Sequence, residues 1–588
     1  MRFPLIATCC LFALPAFAGE LSPELQLTLQ HLREGERARV EKALGPIDEL
    51  PSYRISLDVD PAAREVTGVV QVTVSAREAT LSQVYLRVTP NALESSRVKL
   101  SNLKVNGQPA VMEHPEPSLY KVKLDPVVPP GAAVTVEVAV RAKVPKLETN
   151  PQQSLFGGLA GGSKAKSDHG AFGMTDDVMS LIGIVPQIPP PNDGEEGSDE
   201  PSGIGDLALY TPSNFLVSVR VPTGWRAHCT GVALGEVPEQ DGRIRYSFGA
   251  AAARDFPLLV SRGFESSTAT VGDVTVESWY GQGHGNGGKA VLEHARASLA
   301  EFEKHFGPYP YKTLRVVEAP LTDGAGGMEF PGLVTVASFL YSPNINPLAA
   351  MGLPIQALPG GSSMMKEMMG SMLEFTVAHE VAHQYFAGLV GSDPIKHPVV
   401  DESLAQYSAL LYIEWKHGKE EARNARDNQL VLPFQLYRMS GGEDAKADRP
   451  TSEFASEMQY GAVVYGKAPL LHEANRKLMG DAAFFKGLRA YVDEYRYKWA
   501  CGDCLTTTLA KVSPGQGGKL HELRHRWWDD TKGDKDLGKA DLGKMLGAMG
   551  GMQGMTGNGA PDDMQGLDPE TMKLLQDAIR ALSGGDQQ

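Results

Sequence analysis

A multidomain α+β fold is the expectation for this chain, a β-rich N-terminal half followed by a mainly helical one, and three observations carry it. At 588 residues the chain exceeds the roughly 250 to 300 residues at which one hydrophobic core stops growing, so it must divide. Hydrophobic residues recur with period two in the first half and with a helical period in the second, the switch from half-buried strands to amphipathic helices. Stretches rich in Gly, Pro and Ser interrupt and follow these blocks, too poor in apolar residues to build a core.

The first element is a leader. Arg2 precedes an apolar stretch from Phe3 to Leu14, and Ala16-Phe17-Ala18 supplies small residues before Gly19, the pattern of a secretory signal cut after Ala18. Lipid attachment at Cys9 or Cys10 fits worse, because the stretch before them is short and Thr8 is a poor neighbour for it. Residues 1–18 are read as a signal peptide, and a secreted or periplasmic destination follows. Residues 19–46 form an N-terminal helical segment, opened by Ser22-Pro23 ahead of Leu25, Leu27 and Leu29. From Tyr53 the period is two: Tyr53, Ile55, Leu57 and Val59, then Val70, Val72 and Val74, then Val134, Val136, Val138 and Val140. Residues 47–268 are therefore a β-rich antiparallel sandwich or saddle, interrupted by a long surface loop over 149–205 that carries Pro189-Pro190-Pro191 and Glu195-Glu196.

Helical periodicity dominates over 364–412 and 463–497, which places a second domain at 269–531. Residues 532–588 are a Gly- and Met-rich tail with one short helix at 568–582, opened by Asp568-Pro569-Glu570. Six methionines, Met351, Met364, Met365, Met368, Met369 and Met372, gather before the second domain's main helix; they form either a substrate-side lid or, more in keeping with their spacing, a face packed into the core.

Composition narrows the function. The formal charge of −15 argues against nucleic acid, which needs a concentrated basic surface, and after the leader no apolar run reaches the roughly 18 residues of a membrane span. Once the leader is removed, three of the five cysteines remain, too few for a disulfide scaffold. Cys501-Gly502-Asp503-Cys504 lacks the second pair or nearby His of a metal knot and is read as a loop disulfide or two thiols.

The chemistry sits in His379-Glu380-Val381-Ala382-His383, within an apolar helical run over 375–389. Two imidazoles four residues apart share a helix face and bind one ion together, with Glu380 a position away and able to reach a water on that ion. Catalytic zinc takes three protein ligands and an open position. Glu402, 19 residues beyond His383 at the start of another helical run, supplies the third. One Zn2+ per chain is the expected cofactor.

With Gly326-Gly327-Met328-Glu329 upstream and Val464-Tyr465-Gly466-Lys467 downstream, this set resembles the M1 metallopeptidase family, the gluzincin aminopeptidases typified by aminopeptidase N and leukotriene A4 hydrolase. Gly205-Asp206 ahead of Asn214-Phe215-Leu216-Val217 is similar to the family's style in the β-rich half. The resemblance implies a thermolysin-like zinc catalytic domain and an aminopeptidase acting on peptides with a free N-terminus. It assigns Glu380 as catalytic base, Tyr465 as oxyanion donor and Glu329 as anchor for the substrate's α-amine. Gly326, Gly327 and Met328 would accept the peptide backbone, and Tyr460 would be a second tyrosine at the site.

Some residues depart from the family pattern: Phe330 stands where Asn is common, Ala468 where Gly is usual, and Asp401 and Ser403 flank Glu402. The chain also ends soon after Trp527-Trp528, where many relatives continue into a full C-terminal helical domain. The expectation is a more open cleft, or one closed by a second subunit in a homo-oligomer. The alternatives to an aminopeptidase are a related zinc hydrolase, such as an endopeptidase or epoxide hydrolase, and a non-catalytic binding protein on the same scaffold.

Overall fold

The computed structural model describes residues 21–147, 167–190, 201–206, 210–342 and 361–538. The leader, Met351 and the 568–582 helix lie outside the described residues. The helix Pro23–Leu29 starts where Ser22 accepts a hydrogen bond from the Leu25 amide at 3.2 Å, with Pro23 in its first turn, and packs on the strands Ser213–Pro222 and Arg243–Ala253. Beyond it lies an eight-stranded sheet. Its central strands Ser52–Asp60, Glu65–Ala76 and Ala132–Lys143 run antiparallel, while Ser52–Asp60 pairs in parallel with Ser213–Pro222. The alternating apolar residues of the sequence become cross-strand neighbours here. Ile55 faces Val70 and Val217, and Val70 and Val72 face Val138 and Val136, so one face closes over a buried core while the other stays partly wet.

The 149–205 segment departs from its reading as a surface loop. Within it, Phe172–Met174 and Val178–Leu181 are strands of a four-stranded sheet with Leu258–Arg262 and Trp225–Cys229. Phe172, Met179, Leu181, Ile184 and Val185 are buried. These apolar pieces are too short to show periodicity, and flanking Gly and Pro mask them; a strand buried on both faces gives no alternation to read.

The next sheet starts at Glu265, a few residues ahead of the boundary read at 268. Its order is Glu265–Val271, Val274–Tyr280, Thr313–Ala319, Leu333–Ala337 and Gly327–Phe330. The inner pairs are parallel, and Gly327–Phe330 is an antiparallel edge. The helix Gly285–Phe306 packs against Gly361–Ala382, which in turn packs against Val399–His417. Met365 and Met369 are buried in this core, the packed-face alternative for the methionine run. Cys501 and Cys504 form a disulfide, and no helix among the described residues is long and apolar enough to cross a membrane.

Candidate active site

The helix Gly361–Ala382 ends sooner than the apolar run predicts, and His383 sits on its closing turn, its amide still bonded to the His379 carbonyl at 3.2 Å. That last turn keeps the two imidazoles on one face. The chain then folds back, the Gly388 amide reaching the His383 carbonyl at 2.9 Å, and re-enters as Val399–His417 with Glu402 in its first turn. The Glu402 amide donates to the Pro398 carbonyl at 3.4 Å and to Asp401 Oδ1 at 2.9 Å, which fixes the first turn that carries the carboxylate.

The three side chains close on one point. His379 Nε2 and His383 Nε2 are 3.0 Å apart, and each lies 3.3 Å from Glu402 Oε2. Tetrahedral ligands with bonds of roughly 2.0 to 2.2 Å to one zinc stand about 3.4 Å from each other, so the spacing fits the ion. The chemistry agrees: two imidazole nitrogens facing each other in a buried site, with a carboxylate oxygen that has no hydrogen-bond donor of its own, are stabilised by a shared cation. Among the described residues this is the one group of three or more His, Cys, Asp or Glu side chains so arranged. His383 Nδ1 lies 2.8 Å from the Phe386 carbonyl; donating to it fixes the tautomer that leaves Nε2 free to ligate.

Around the triad lies a cavity of about 760 Å³. All ten residues picked from the sequence line it: Gly326, Gly327, Met328, Glu329, His379, Glu380, His383, Glu402, Tyr460 and Tyr465. Gly327 has no room for a side chain, because a Cβ there would lie 2.6 Å from Glu380 Cγ and closer still to Cδ and Oε1. The edge strand thus presses against the Glu380 carboxylate. Burial, then the charge of Glu329, pushes Glu380 well above the usual carboxylate range.

Tyr460 ends the helix Glu457–Tyr460, and Tyr465 lies in the wide π-helical turn Gly461–Lys467. Its i to i+5 bonding pattern brings two residues five apart onto one side, and their ring centroids are 5.6 Å apart. Lys467 anchors the turn from beneath, with Nζ 2.7 Å from Asp444 Oδ1 and 2.6 Å from the Ala445 carbonyl. The Tyr465 hydroxyl donates to Glu402 Oε1, the oxygen not turned toward the imidazoles. The Tyr460 hydroxyl is buried without a hydrogen-bond partner among the described residues.

Two contributors were not among the residues picked for the site: Asp206, noted in the sequence only for its likeness to the family's style, and Gln384. Asp206 and Glu329 line the same cavity: burial first, then the charge of Glu329, raises the Asp206 carboxyl well above its ordinary range, and burial with the charge of Glu402 raises that of Glu329. A carboxylate pair sharing a site in this way has room for a cation. Gln384 joins the histidine turn to the edge strand, its Oε1 accepting the Gly332 amide at 2.8 Å and its Nε2 donating to the Phe330 carbonyl at 2.9 Å. Position next to His383 was its sole signal.

Residues 361–528 match the Peptidase family M1 domain. Aminopeptidase N of Lactobacillus delbrueckii subsp. lactis is 28% identical over 250 residues, covering 40% of this chain and 26% of that protein. Aminopeptidase M1-A of Oryza sativa subsp. japonica is 24% identical over 330 residues, covering 53% and 34%. The chain thus spans about a quarter to a third of the length of these two relatives. The M1 zinc metallopeptidase from Deinococcus radiodurans superposes with a TM-score of 0.54 at 20% identity, over 82% of this chain and 94% of that one, which shows the fold. This chain therefore carries a Peptidase family M1 domain, has aminopeptidases N among its homologues, and shares the β-rich then helical fold of the M1 zinc metallopeptidases.

Proposed function

We propose that the protein is an exported, zinc-dependent aminopeptidase that hydrolyses the first peptide bond of peptides with a free N-terminus. One observation carries the reading: a single cavity holds the closed His379, His383 and Glu402 triad, the Glu380 carboxylate and the Glu329 and Asp206 pair. His379, His383 and Glu402 would hold the ion, and a zinc there would supply Lewis acidity that activates water near neutral pH.

The chain's own groups do the rest. Glu380 takes the proton from the attacking water and returns it to the leaving amine. Glu329 and Asp206 grip the substrate's α-ammonium, offsetting the charge that makes their pairing costly and limiting reach to the first peptide bond. Tyr465 turns its proton from Glu402 to the developing oxyanion. Export rests on the 1–18 leader, and the Cys501–Cys504 disulfide is in keeping with an oxidising compartment.

The test is hydrolysis of a short peptide and its N-acetylated form by the purified protein, with and without a chelator. The free peptide is expected to lose its first residue, the blocked one to survive, and the chelator to stop turnover. Cleavage of the blocked peptide would move the assignment to an endopeptidase; indifference to the chelator would remove the metal from it.

A further inference from the structure

The cavity continues past the Glu329 and Asp206 pair to a second acidic end. Glu457 stands three residues before Tyr460 in the helix Glu457–Tyr460 and so shares its face; both line the cavity, as does Asp323. Burial first, and then the charge of Asp323, drives the Glu457 carboxyl up to about 7. Among the described residues neither pairs with a lysine or arginine. Glu457 Oε1 has His169 Nε2 at 3.6 Å, while Asp323 Oδ2 accepts the Thr322 and Ser167 hydroxyls.

Two further buried polar groups in the cavity lining are unpartnered. His169 is 9% exposed and its Nδ1 has no hydrogen-bond partner; Tyr460 is 3% exposed and its hydroxyl has none either. Burial holds His169 below its ordinary range, so the neutral ring offers an acceptor. Nearly all buried polar atoms in folded proteins are satisfied, and partly desolvated carboxylates without a counter-charge are costly. What satisfies Glu457 and Asp323, with an acceptor nitrogen on His169 beside Glu457, is a cation with several donors. Gly324 and Ala325 leave the way to it narrow in side-chain bulk, and Met458 offers a flexible apolar wall to an aliphatic stem.

We propose that this end of the cavity selects substrates whose first residue is basic, arginine or lysine, with the cationic end of that side chain held by Glu457 and Asp323. The inference rests on the aminopeptidase reading, since the first side chain enters here once Glu329 and Asp206 hold the α-amine. Guanidinium fits best, because its planar fork can give bidentate bonds to a carboxylate and a further N–H to His169.

The experiment compares arginine, lysine and norleucine arylamides on the zinc-loaded protein and its Glu457→Gln and Asp323→Asn variants; Asn keeps the left-handed φ of 54° at position 323. The kcat/KM ratio of the basic substrates over norleucine is expected to exceed about tenfold and to fall about 10- to 100-fold in each variant. A wild-type ratio at or below one, or a ratio that neither variant moves, overturns the proposal. If no arylamide is turned over, the aminopeptidase reading falls, and calorimetry with argininamide and norleucinamide decides the pocket alone. Argininamide binding about tenfold tighter and weakened by Glu457→Gln upholds it; equal or undetectable binding overturns it.

Discussion

Replacing Gly327 by Ala separates catalysis from folding. The added Cβ would sit 2.6 Å from Glu380 Cγ, where carbon atoms normally approach to about 3.5 Å, so the Glu380 side chain must retreat by roughly 1 Å. A misplacement of that size costs on the order of 100-fold in rate. Folding has little to lose. The atoms met are those of a flexible side chain, a rotamer shift costs about 0.5 to 1.5 kcal/mol, and Ala for Gly in the strand Gly327–Phe330 recovers about 0.4 to 1 kcal/mol through the unfolded state. Steady-state hydrolysis of an aminoacyl arylamide, zinc content by atomic absorption and a thermal melt should show kcat/KM down about 100-fold, zinc retained and Tm within about 3 °C. Gly326→Ala, whose Cβ meets Thr376 Cγ2 at 3.2 Å, asks for far less movement and should lose under about tenfold. Near wild-type turnover in Gly327→Ala, or a loss no greater than that of Gly326→Ala, refutes the placement of Glu380 as base.

Other substitutions probe the remaining groups. Glu380→Gln keeps the size and the metal ligands and should lower kcat about 10²- to 10⁴-fold at unchanged zinc content; a metal-loaded variant with intact turnover contradicts the base assignment. Glu329→Gln weakens capture of the free amine and should mainly raise KM for arylamides, a result dominated by kcat being the contrary one. Tyr465→Phe deletes the donor to the oxyanion, with an expected loss of about 10²- to 10³-fold in kcat, and an unchanged kcat would leave that hydroxyl a purely structural partner of Glu402. Glu374, on the histidine helix, tests the scaffold. Burial opposes its charge, but hydrogen bonds from His294, Lys416 and His417 win and hold its carboxyl well below the ordinary 4.5. A depressed folded-state value stabilises fully above the unfolded one and is lost as pH falls, so Glu374→Gln should cost about 1 to 2 kcal/mol at pH 7. That deficit should shrink below about pH 4.5 in denaturant melts; a deficit that grows on acidification reverses the sign of the argument.

The metal centre was legible because its chemistry is local. His379, Glu380 and His383 occupy one helical turn, and Glu402 opens the next helix of the core, so spacing alone brings four functional atoms within reach. Tyr465 was legible through the family pattern, yet its pairing with Tyr460 depends on a π-helical turn that no periodicity announces, because a five-residue hydrogen bond leaves no distinct hydrophobic repeat. The alternating valines specified the large sheet, since one wet face and one dry face force a period of two.

What the tertiary structure decided lies where distant segments meet. His169 reaches Glu457 because the strands Phe172–Met174 and Val178–Leu181 are drawn into a buried sheet, where both faces are apolar and the pattern falls silent, and Asp206 joins Glu329 in the cavity lining from a segment far from it in sequence. By itself the sequence determined the His379, His383 and Glu402 cluster, the Glu380 carboxylate beside it and the β-then-α order, all of which are encoded by neighbours along the chain. The acidic walls that would choose a substrate come from contacts between segments far apart in sequence, and only the packing of sheet against helix brings such residues together.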